Sequence, residues 1–502
     1  MTARVKVLVA NRGEVAARVI RACRELGLCS VALCSDPDRL SPHVRMADSV
    51  AHIGGCLPAE SYLDSGKVLA AARAVGATMI HPGYGFLAED PAFREACDAA
   101  GLRFVGPTAD QMRRLSHKLP ARAAMRAAGV PVVPGSDGEV PDADEAREVA
   151  DRVGWPVMLK ASAGGGGKGM RRVEGPAGMP AAFEASRREA LAAFGCPSLF
   201  VETCISSPRH VEVQFLADGR GGVVHLGERV CSVQRRHQKV IEEAPDPGLD
   251  PLLREAMHEA TLRAVRSLGY EGLGTVEYLV DSAGAFHFLE MNTRLQVEHA
   301  VTEAVFGVDL VQAQIRVALG DPLPWRQDEL VPRGAAVECR VCAEDPYNGF
   351  VASPGRLFRY RPPLGPFVRV DDGVEEGGEV CSFYDTLIAK VTTWGRTRPE
   401  AISRMEGALG EFEIGGVRHN LPFLLHVLSS TEFRAGTYDT GLVARIGPLP
   451  ATDVVSVEDV AAAVAARSLQ DPPPVGAPSS SQSSGPSSWR RALTAAPAWR
   501  RG

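Results

Sequence analysis

The order of apolar and polar positions predicts strands that alternate with helices near the start of the chain. Residues 5–10 (VKVLVA) are a short apolar run, and residues 13–27 (GEVAARVIRACRELG) have helical spacing and end at a glycine. The same order returns in VALCS (31–35), SGKVLAAARAVG (65–76) and TMIHPGYG (78–85). This alternation is typical of a parallel sheet with helices on its faces.

The pattern changes near Lys118, where longer alternating segments begin. A helix that ends at Gly129 precedes the segments RHVEVQFLAD (209–218) and GGVVHLGE (221–228), which we predict to be paired antiparallel strands. Residues 251–268 have helical spacing, and GTVEYLVD (274–281) with AFHFLEMN (285–292) predicts a hairpin.

A third region begins near Arg333. Its predicted strands are AAVECRVCAED (335–345), GRLFRYRPP (355–363) and TLIAKVTTWG (386–395), and its predicted helix is RPEAISRMEGALGEF (398–412). The chain as a whole is therefore predicted to be of the α/β (α+β) class.

Composition excludes several classes of protein. A net charge of −6 over 502 residues gives no reason to expect a nucleic-acid partner, and no run of 18 apolar residues predicts a membrane span. The start, MTARVKVLVANRG, lacks the pattern of a signal peptide. Eleven scattered cysteines favour reduced thiols and a cytoplasmic location, and the CxxC spacing of Cys339 and Cys342 fits an alternating strand better than a zinc or redox site.

The chain changes character from about Asp471. DPPPVGAPSSSQSSGPSS (471–488) is rich in proline, serine and glycine, a composition typical of disorder. It is followed by WRRALTAAPAWRR (489–501), which contains Trp-Arg-Arg twice. Either a solvated tail or a docking segment for a partner or an anionic surface fits this composition.

Two segments have the composition of a phosphate-binding site. KASAGGGGKGM (160–170) follows a predicted strand, and its consecutive glycines, with Lys160 and Lys168, could form an anion-binding nest. It does not end as a Walker A motif does, so it is a phosphate-covering loop of another kind or a flexible linker. A second segment, GERVCSVQRRHQKVIEEAP (227–245), is dense in basic residues and is either a solvated loop or part of an anion site.

The segment FHFLEMNTRLQVEH (286–299) raises the question of metal binding. If it stays extended, five polar positions from Glu290 to Glu298 share one face, which could be a solvated strand edge. Glu277 and Glu290 lie near the ends of predicted neighbouring strands, and two buried carboxylates without a cation are unfavourable. Paired carboxylates with the oxygen of Asn292 make a plausible Mg²⁺ site, so the two carboxylates and the glycine loop together predict Mg²⁺ and ATP.

Several of these segments, in this order, resemble the ATP-grasp enzymes of the biotin carboxylase type. The resemblance runs from about Val5 to Ile446 and rests on Lys118 and on the segments HPGYGFLAED (81–90), KASAGGGGKGM, RHVEVQ (209–214), GERVCSVQRRHQK (227–239), EMNTRLQVEH (290–299), ECRVCAEDP (338–346) and FYDTLIAKV (383–391). It implies an ATP-grasp fold with a Rossmann-like N-terminal domain (1–115), an ATP-grasp domain (116–330) with a glycine-hinged lid at about 132–205, a mixed α/β C-terminal domain (331–448) and a tail (449–502).

The resemblance also implies a reaction and its residues. ATP, with Mg²⁺ or Mn²⁺, would phosphorylate bicarbonate to carboxyphosphate, and the carboxyl group would pass to biotin on a carrier protein, as the first half-reaction of an acetyl-CoA or propionyl-CoA carboxylase. Glu298 would be the general base, and Arg340 would stabilise the biotin enolate. The bicarbonate site would consist of Lys239, Arg294, Gln296, the Val297 backbone and Glu298. The nucleotide site would consist of Lys118, Lys160, Gly164, Gly165, Gly166, Gly167, Lys168, Gly169, Glu202, His210, Gln234 and His237, and the metal ligands would be Glu277, Glu290 and Asn292.

The chain departs from the family pattern at Ser116-His117, Val230 and Ala300, none of which has an assigned chemical role. No Met-Lys pair occurs, so we expect the biotin carrier and the carboxyltransferase to be separate chains. A homodimer is common in the family. Two alternatives remain at this stage: another carboxyphosphate-forming ligase of the carbamoyl-phosphate type, and a nucleotide-binding assembly subunit without activity.

Overall fold

The N-terminal region is a five-stranded parallel sheet with helices, as the strand–helix alternation predicts. The computed structural model describes residues 5–162 and 169–450. The strand order is β3-β2-β1-β4-β5, and every neighbouring pair is parallel. The strands are β1 (Lys6–Val9), β2 (Cys29–Cys34), β3 (Ser49–His52), β4 (Met79–His81) and β5 (Arg103–Phe104). The helices are α1 (Gly13–Glu25), α2 (Pro42–Met46), α3 (Ser65–Val75), α4 (Pro91–Ala99) and α5 (Ala109–Ser116).

The middle region contains a small three-stranded sheet and most of a larger sheet. Its helices are α6 (Lys118–Ala127), α7 (Ala143–Val153), α8 (Met179–Phe194), α9 (Pro251–Ser267), α10 (His299–Phe306) and α11 (Leu310–Leu319). Its strands are β6 (Val157–Ala161), β7 (Arg171–Val173), β8 (Leu199–Thr203), β9 (Arg209–Asp218), β10 (Val223–Arg235), β11 (Gln238–Ala244), β12 (Glu271–Val280) and β13 (Phe286–Asn292). The small sheet has the order β7-β6-β8. Along the chain, β6 precedes and β7 follows residues 163–168, the glycine-loop positions outside the described residues.

The third region adds strands to the larger sheet and packs helices against it. Its strands are β14 (Ala335–Cys342), β15 (Glu344–Asp345), β16 (Val351–Ala352), β17 (Gly355–Arg356), β18 (Arg359–Arg361), β19 (Val368–Asp372), β20 (Glu379–Val380), β21 (Leu387–Gly395) and β22 (Glu413–Gly415). Its helices are α12 (Arg398–Glu411), α13 (Leu421–Ser429), α14 (Thr431–Ala435) and α15 (Leu442–Ile446).

The prediction of one strand over GRLFRYRPP was wrong. The segment forms the two short strands β17 and β18, because β17 pairs with β20 whereas β18 pairs with β22. Between them the Phe358 N–H already donates to the carbonyl of Gly415.

The larger sheet positions most of the polar residues considered below. Its order is β13-β12-β9-β10-β11-β14-β21-β19, and all its pairs are antiparallel. The pairing of β11 with β14 continues the sheet across the domain boundary predicted near residue 331. On one side of the sheet, Met257 and Ala260 of α9 belong to the same buried apolar cluster as Val213 and Phe215 of β9, so α9 packs against this strand.

The hairpin predicted for residues 274–292 is present as β12 and β13. The alternation considered for residues 290–298 continues only to Asn292, where β13 ends. The Thr293 N–H donates to Glu89, and the His299 N–H donates back to the carbonyl of Gln296, so the chain turns here and α10 begins at His299. We call residues 293–298 the site turn.

Within residues 5–162 and 169–450, no helix is both long and apolar enough to cross a membrane. All eleven cysteines are free thiols. The proposed tail beyond residue 450 lies outside the described residues.

Candidate active site

A single cavity of about 1310 Å³ brings together the sequence-predicted site residues that the structure describes, apart from Gly169. Its lining includes Lys118, Lys160, Glu202, His210, Gln234, His237, Lys239, Glu277, Glu290, Asn292, Arg294, Gln296, Val297, Glu298 and Arg340. Gly164 to Gly167 and Lys168 lie outside the described residues. Gly169 adjoins β6, where its carbonyl accepts from the Ala161 N–H.

Charged side chains form a row across four strands of the larger sheet. Glu290 on β13 lies opposite Glu277 on β12, Glu277 lies opposite Glu212 on β9, and Glu212 lies opposite Arg229 on β10. Residues opposite each other in antiparallel strands have adjacent side chains. Glu212 and Arg229 are fully buried, and the Arg229 Nε donates to a Glu212 oxygen at 2.6 Å. The row therefore places three carboxylates side by side with one buried cation.

Lys239 on β11 joins the row to the site turn. Its Nζ donates to Glu212 at 2.5 Å, to Glu277 at 2.9 Å and to Glu298 at 2.6 Å. Burial alone would lower the pKa of Lys239, but the three carboxylates outweigh burial and hold that pKa well above its usual value. Lys239 therefore remains a cation at the centre of the cavity.

Both oxygens of the Glu277 carboxylate have hydrogen-bond or ion-pair partners. Besides Lys239, its Oε1 accepts from Asn292 at 2.9 Å and from Gln296 at 2.8 Å, and its Oε2 lies 2.8 Å from the His210 Nε2. Burial would raise the pKa of Glu277, yet Lys239 and His210 lower it below the usual value.

Glu290 differs sharply from its neighbour. Among the described residues, no hydrogen bond reaches its carboxylate, and burial together with the charge of Glu277 raises its pKa. A divalent cation between Glu290 and Glu277 would remove this repulsion, and carboxylate and amide oxygens are ligands that Mg²⁺ accepts. Glu277, Glu290 and Asn292 therefore fit a Mg²⁺ ion.

Two other groups of potential metal ligands lie nearby, His210–Glu212–Glu277 and Glu212–Cys231–Glu298. Burial, together with the charge of Glu212, raises the pKa of the Cys231 thiol well above its usual value, so the thiol stays neutral. The second group is therefore less suited to a metal than the Glu277–Glu290 pair.

Glu298 lies between two cations. Its Oε1 accepts from Lys239, and its Oε2 accepts from the Arg340 Nη2 at 2.9 Å. Burial would raise the pKa of Glu298, but Lys239, Arg340 and Arg229 hold it well below the usual value. Arg340 lies on β14, and its Nε donates to Glu242 on β11 at 2.6 Å, which holds the guanidinium in place.

Arg294 belongs to the site turn, and two hydrogen bonds hold its side chain in place. Its Nε donates to Glu89 at 2.9 Å and its Nη2 donates to the Asn292 oxygen at 2.9 Å. Arg294 thus links the oxygen proposed as a metal ligand to the turn that contains Gln296 and Glu298.

The same cavity also contains the basic residues expected for a nucleotide. Lys118 begins α6 directly after His117, and burial, together with Lys160, lowers its pKa. The Lys160 Nζ donates to Glu202 at 2.5 Å. His237 has a positive φ of 65° in the tight turn between β10 and β11, and Gln234, just before that turn, contacts the His210 ring at 2.6 Å.

Sequence reasoning missed several residues that shape the site. Glu212, Glu242 and Glu89 anchor Lys239, Arg340 and Arg294 respectively. A signal for Glu212 was available, because His210, Glu212 and Gln214 alternate within the apolar strand RHVEVQFLAD and so share one face. Glu89 and Glu242 gave no such signal, since their partners lie 205 and 98 positions away.

None of the departures from the family pattern removes a charged group named above. Val230 and Ala300 are fully buried, and Val230 belongs to an apolar cluster. Ser116 ends α5 and His117 precedes α6, so Lys118 still lies at the start of a helix.

Comparison with known proteins agrees with this arrangement. Three family models match: the biotin carboxylase N-terminal domain over residues 3–112, the ATP-binding domain of the carbamoyl-phosphate synthase L chain over residues 117–326, and the biotin carboxylase C-terminal domain over residues 338–445. A biotin carboxylase of Nostoc sp. is 47% identical over 438 residues, which are 87% of this chain and 98% of that protein. A propionyl-CoA carboxylase alpha chain of Ruegeria pomeroyi is 46% identical over 486 residues, which are 91% of this chain and 71% of that protein.

A solved structure shares the fold. The biotin carboxylase domain dimer of the Hydrogenobacter thermophilus 2-oxoglutarate carboxylase, in complex with MgADP, ADP and bicarbonate, has a TM-score of 0.85 and 43% identity. The match covers 88% of this chain and 97% of that chain. The fold is thus the ATP-grasp fold predicted from the sequence, and the chain belongs to the biotin carboxylase family.

Proposed function

We propose that this chain uses ATP, Mg²⁺ and bicarbonate to carboxylate biotin, as the first half-reaction of a biotin-dependent carboxylase. The observation that carries this proposal is the position of Glu298. Its carboxylate is held between Lys239 and Arg340 in the same cavity as the Glu277–Glu290 pair. A base, two cations and a metal site in one cavity suit a reaction that joins phosphoryl transfer to deprotonation of an anion.

The nucleotide would bind at the end of the cavity that contains Lys118 and Lys160. These cations and the glycine loop, residues 164–169, would contact the phosphates, and Glu202, His210, Gln234 and His237 would contact the rest of the nucleotide. Glu277, Glu290 and Asn292 would hold Mg²⁺. Bound there, the ion would neutralise phosphate charge during transfer.

Bicarbonate would bind beside the site turn. Lys239, Arg294, Gln296 and the Val297 amide would hold the anion, and Glu298 would take its proton. Lys239 and Arg340 keep the pKa of Glu298 low when they face it alone. An anion that shares Lys239 weakens that effect, so bicarbonate binding raises the pKa of Glu298 and makes the carboxylate a stronger base.

Arg340 would then stabilise the enolate of biotin. We propose that the biotin is attached to a carrier protein on a separate chain, that a carboxyltransferase is a third component, and that this chain forms a homodimer. Mn²⁺ in place of Mg²⁺ and a cytoplasmic location are further proposals; the free thiols support the latter. We assign no final acceptor of the carboxyl group, because two relatives whose names give an acceptor differ: one name gives propionyl-CoA and the other gives 2-oxoglutarate.

The test measures ADP release by the purified full-length chain with ATP and Mg²⁺, with and without bicarbonate and free biotin. We expect release that requires bicarbonate and increases with biotin. No ADP release with either compound, with nucleotide binding intact, would leave the chain as a nucleotide-binding subunit and overturn the proposal; ADP release that is the same with and without both compounds would also overturn it.

A further inference from the structure

The site turn is held from its buried side by two side chains that no part of the reaction above uses. The His299 Nδ1 lies 2.8 Å from the carbonyl oxygen of Gln296, and the Lys390 Nζ lies 2.7 Å from the carbonyl oxygen of Val297. Both side chains are fully buried. Because a carbonyl oxygen can only accept, the Nδ1 of His299 must carry the proton and donate it.

These contacts determine the orientation of the backbone. The carbonyl of Gln296 and the N–H of Val297 belong to one planar trans peptide, so they point in opposite directions. Within the described residues, the Val297 N–H donates to no protein acceptor, and Val297 lines the cavity. Because His299 holds the Gln296 carbonyl on the buried side of the turn, the Val297 N–H is available to a ligand in the cavity.

Lys390 connects the site turn to the other two regions of the chain. It lies on β21, and its Nζ is 3.4 Å from the Glu14 Oε1 at the start of α1. The same Glu14 oxygen accepts from the hydroxyl of Tyr84, which lines the cavity. Three distant segments thus meet beneath Val297, and the position of the turn depends on how they pack together.

The side chain of His299 is held in one protonation state. Burial lowers its pKa well below the usual value, and the cations Lys390, Arg369 and Arg18 lower it further. A neutral ring with Nδ1 protonated is therefore the stable form, and its Nε2 has no hydrogen-bond partner among the described residues.

We propose that His299 and Lys390 are positioning residues for the bicarbonate site: they hold the carbonyls of Gln296 and Val297 so that the Val297 amide faces the anion. This inference rests on the proposed function. The role is indirect, since neither side chain needs to touch bicarbonate, and removal of either should change bicarbonate affinity without a change in nucleotide affinity.

Two substitutions of His299 separate positioning from bulk packing. An asparagine amide can stand in for Nδ1, whereas a glutamine amide reaches the place of Nε2 and leaves the Gln296 carbonyl without its side-chain donor. We expect His299→Gln to raise the KM for bicarbonate about fivefold, as loss of one hydrogen bond predicts. His299→Asn should keep a KM close to that of the unaltered chain, and the KM for ATP should not change in either variant.

The control is His258→Asn. His258 lies on α9 beside a second, smaller cavity lined by His225 and Arg254, and its Nε2 contacts Glu228 at 2.9 Å. This variant loses a histidine hydrogen bond remote from the site turn, so its KM for bicarbonate should stay unchanged.

Lys390→Met provides a stronger test, provided that the variant folds. Measurement of its thermal unfolding midpoint establishes whether it does. It removes the donor to Val297 and leaves Glu14 without its cation, so we expect a larger rise in the KM for bicarbonate than for His299→Gln. If it fails to fold, the two His299 variants still decide.

The result that overturns the inference is a KM for bicarbonate that is the same in His299→Gln and in the unaltered chain, or one that rises equally in His299→Gln and His299→Asn. Failure of the proposed function is a separate result: the unaltered chain would then show no dependence of ADP release on bicarbonate.

Discussion

The two halves of the segment FHFLEMNTRLQVEH reach the same cavity by different means. Glu290 and Asn292 lie on β13, where strand pairing places Glu290 opposite Glu277. Gln296 and Glu298 lie on the site turn, which no strand pairing fixes; side chains from distant parts of the chain hold it instead. Residues 290–292, proposed to bind the metal and called the metal half, therefore depend on local backbone geometry. Residues 293–298, proposed to bind bicarbonate and called the bicarbonate half, depend on tertiary contacts.

The difference has a physical consequence. In the metal half Glu290, whose carboxylate has no hydrogen bond from the described residues, stands beside Glu277, whose carboxylate accepts several. In the bicarbonate half each charged group already has a partner, so a ligand must share those partners. A cation adds a missing charge in the first half, whereas an anion redistributes existing contacts in the second.

The largest effect is expected at the base. Glu298→Gln removes the proton acceptor and keeps the shape of the side chain, so turnover should fall by at least about 100-fold. The affinity for ADP, measured by titration, should not change, because Lys118 and Lys160, the proposed phosphate contacts, are unaltered. Equal losses of turnover and of nucleotide affinity would contradict the assignment of Glu298 as the base.

The next effect concerns the metal half. Glu290→Gln removes one of the two proposed carboxylate ligands, so the Mg²⁺ concentration for half-maximal turnover should rise about tenfold or more. His287→Gln, on the same strand but outside the cavity, is the control and should leave that concentration unchanged. An unchanged Mg²⁺ dependence in Glu290→Gln would exclude Glu290 as a ligand.

A smaller effect is expected where a tertiary contact holds the site turn. Glu89→Ala removes the acceptor for the Thr293 N–H and for the Arg294 Nε, so the KM for bicarbonate should rise about fivefold. The Mg²⁺ dependence should stay the same. A parallel change in both would show that the two halves do not behave separately.

The smallest effect is on stability. The folded-state pKa of Glu290 is raised, so folding disfavours its ionised form, and this cost is absent below the usual carboxyl pKa and complete above the raised one. Without Mg²⁺, Glu290→Gln should therefore raise the unfolding midpoint at pH 8, and the gain should vanish as the pH falls toward 4. A gain that is independent of pH would mean that the charge of Glu290 is not its cause.

The sequence predicted these two halves unequally. A period of two identified Glu290 and Asn292 on one face, and hairpin pairing brought Glu277 to them, because strand geometry follows from local pattern. Carried past Asn292, the same period put Arg294, Gln296 and Glu298 on a strand face. The site turn instead takes its shape from contacts with Glu89 and Lys390, each about 90 positions or more away. For Glu298, Arg294 and Arg340, only the family resemblance indicated a role.

The fold shows the same division. The parallel N-terminal sheet and the hairpin of β12 and β13 followed from apolar patterns. The join between β11 and β14 did not, because two strands with no sequence signal for each other pair across about 90 residues of chain. The division of GRLFRYRPP into two strands was missed for the same reason, since its two halves have different distant partners.

The proposed function requires one cavity to transfer a carboxyl group from bicarbonate to biotin. Its most direct test is incubation of the purified chain with ¹³C-labelled bicarbonate, ATP, Mg²⁺ and biotin, followed by mass analysis of the biotin. We predict labelled carboxybiotin that requires both ATP and Mg²⁺ and is lost in Glu298→Gln. Bicarbonate-dependent cleavage of ATP with no label in biotin would contradict the proposed function.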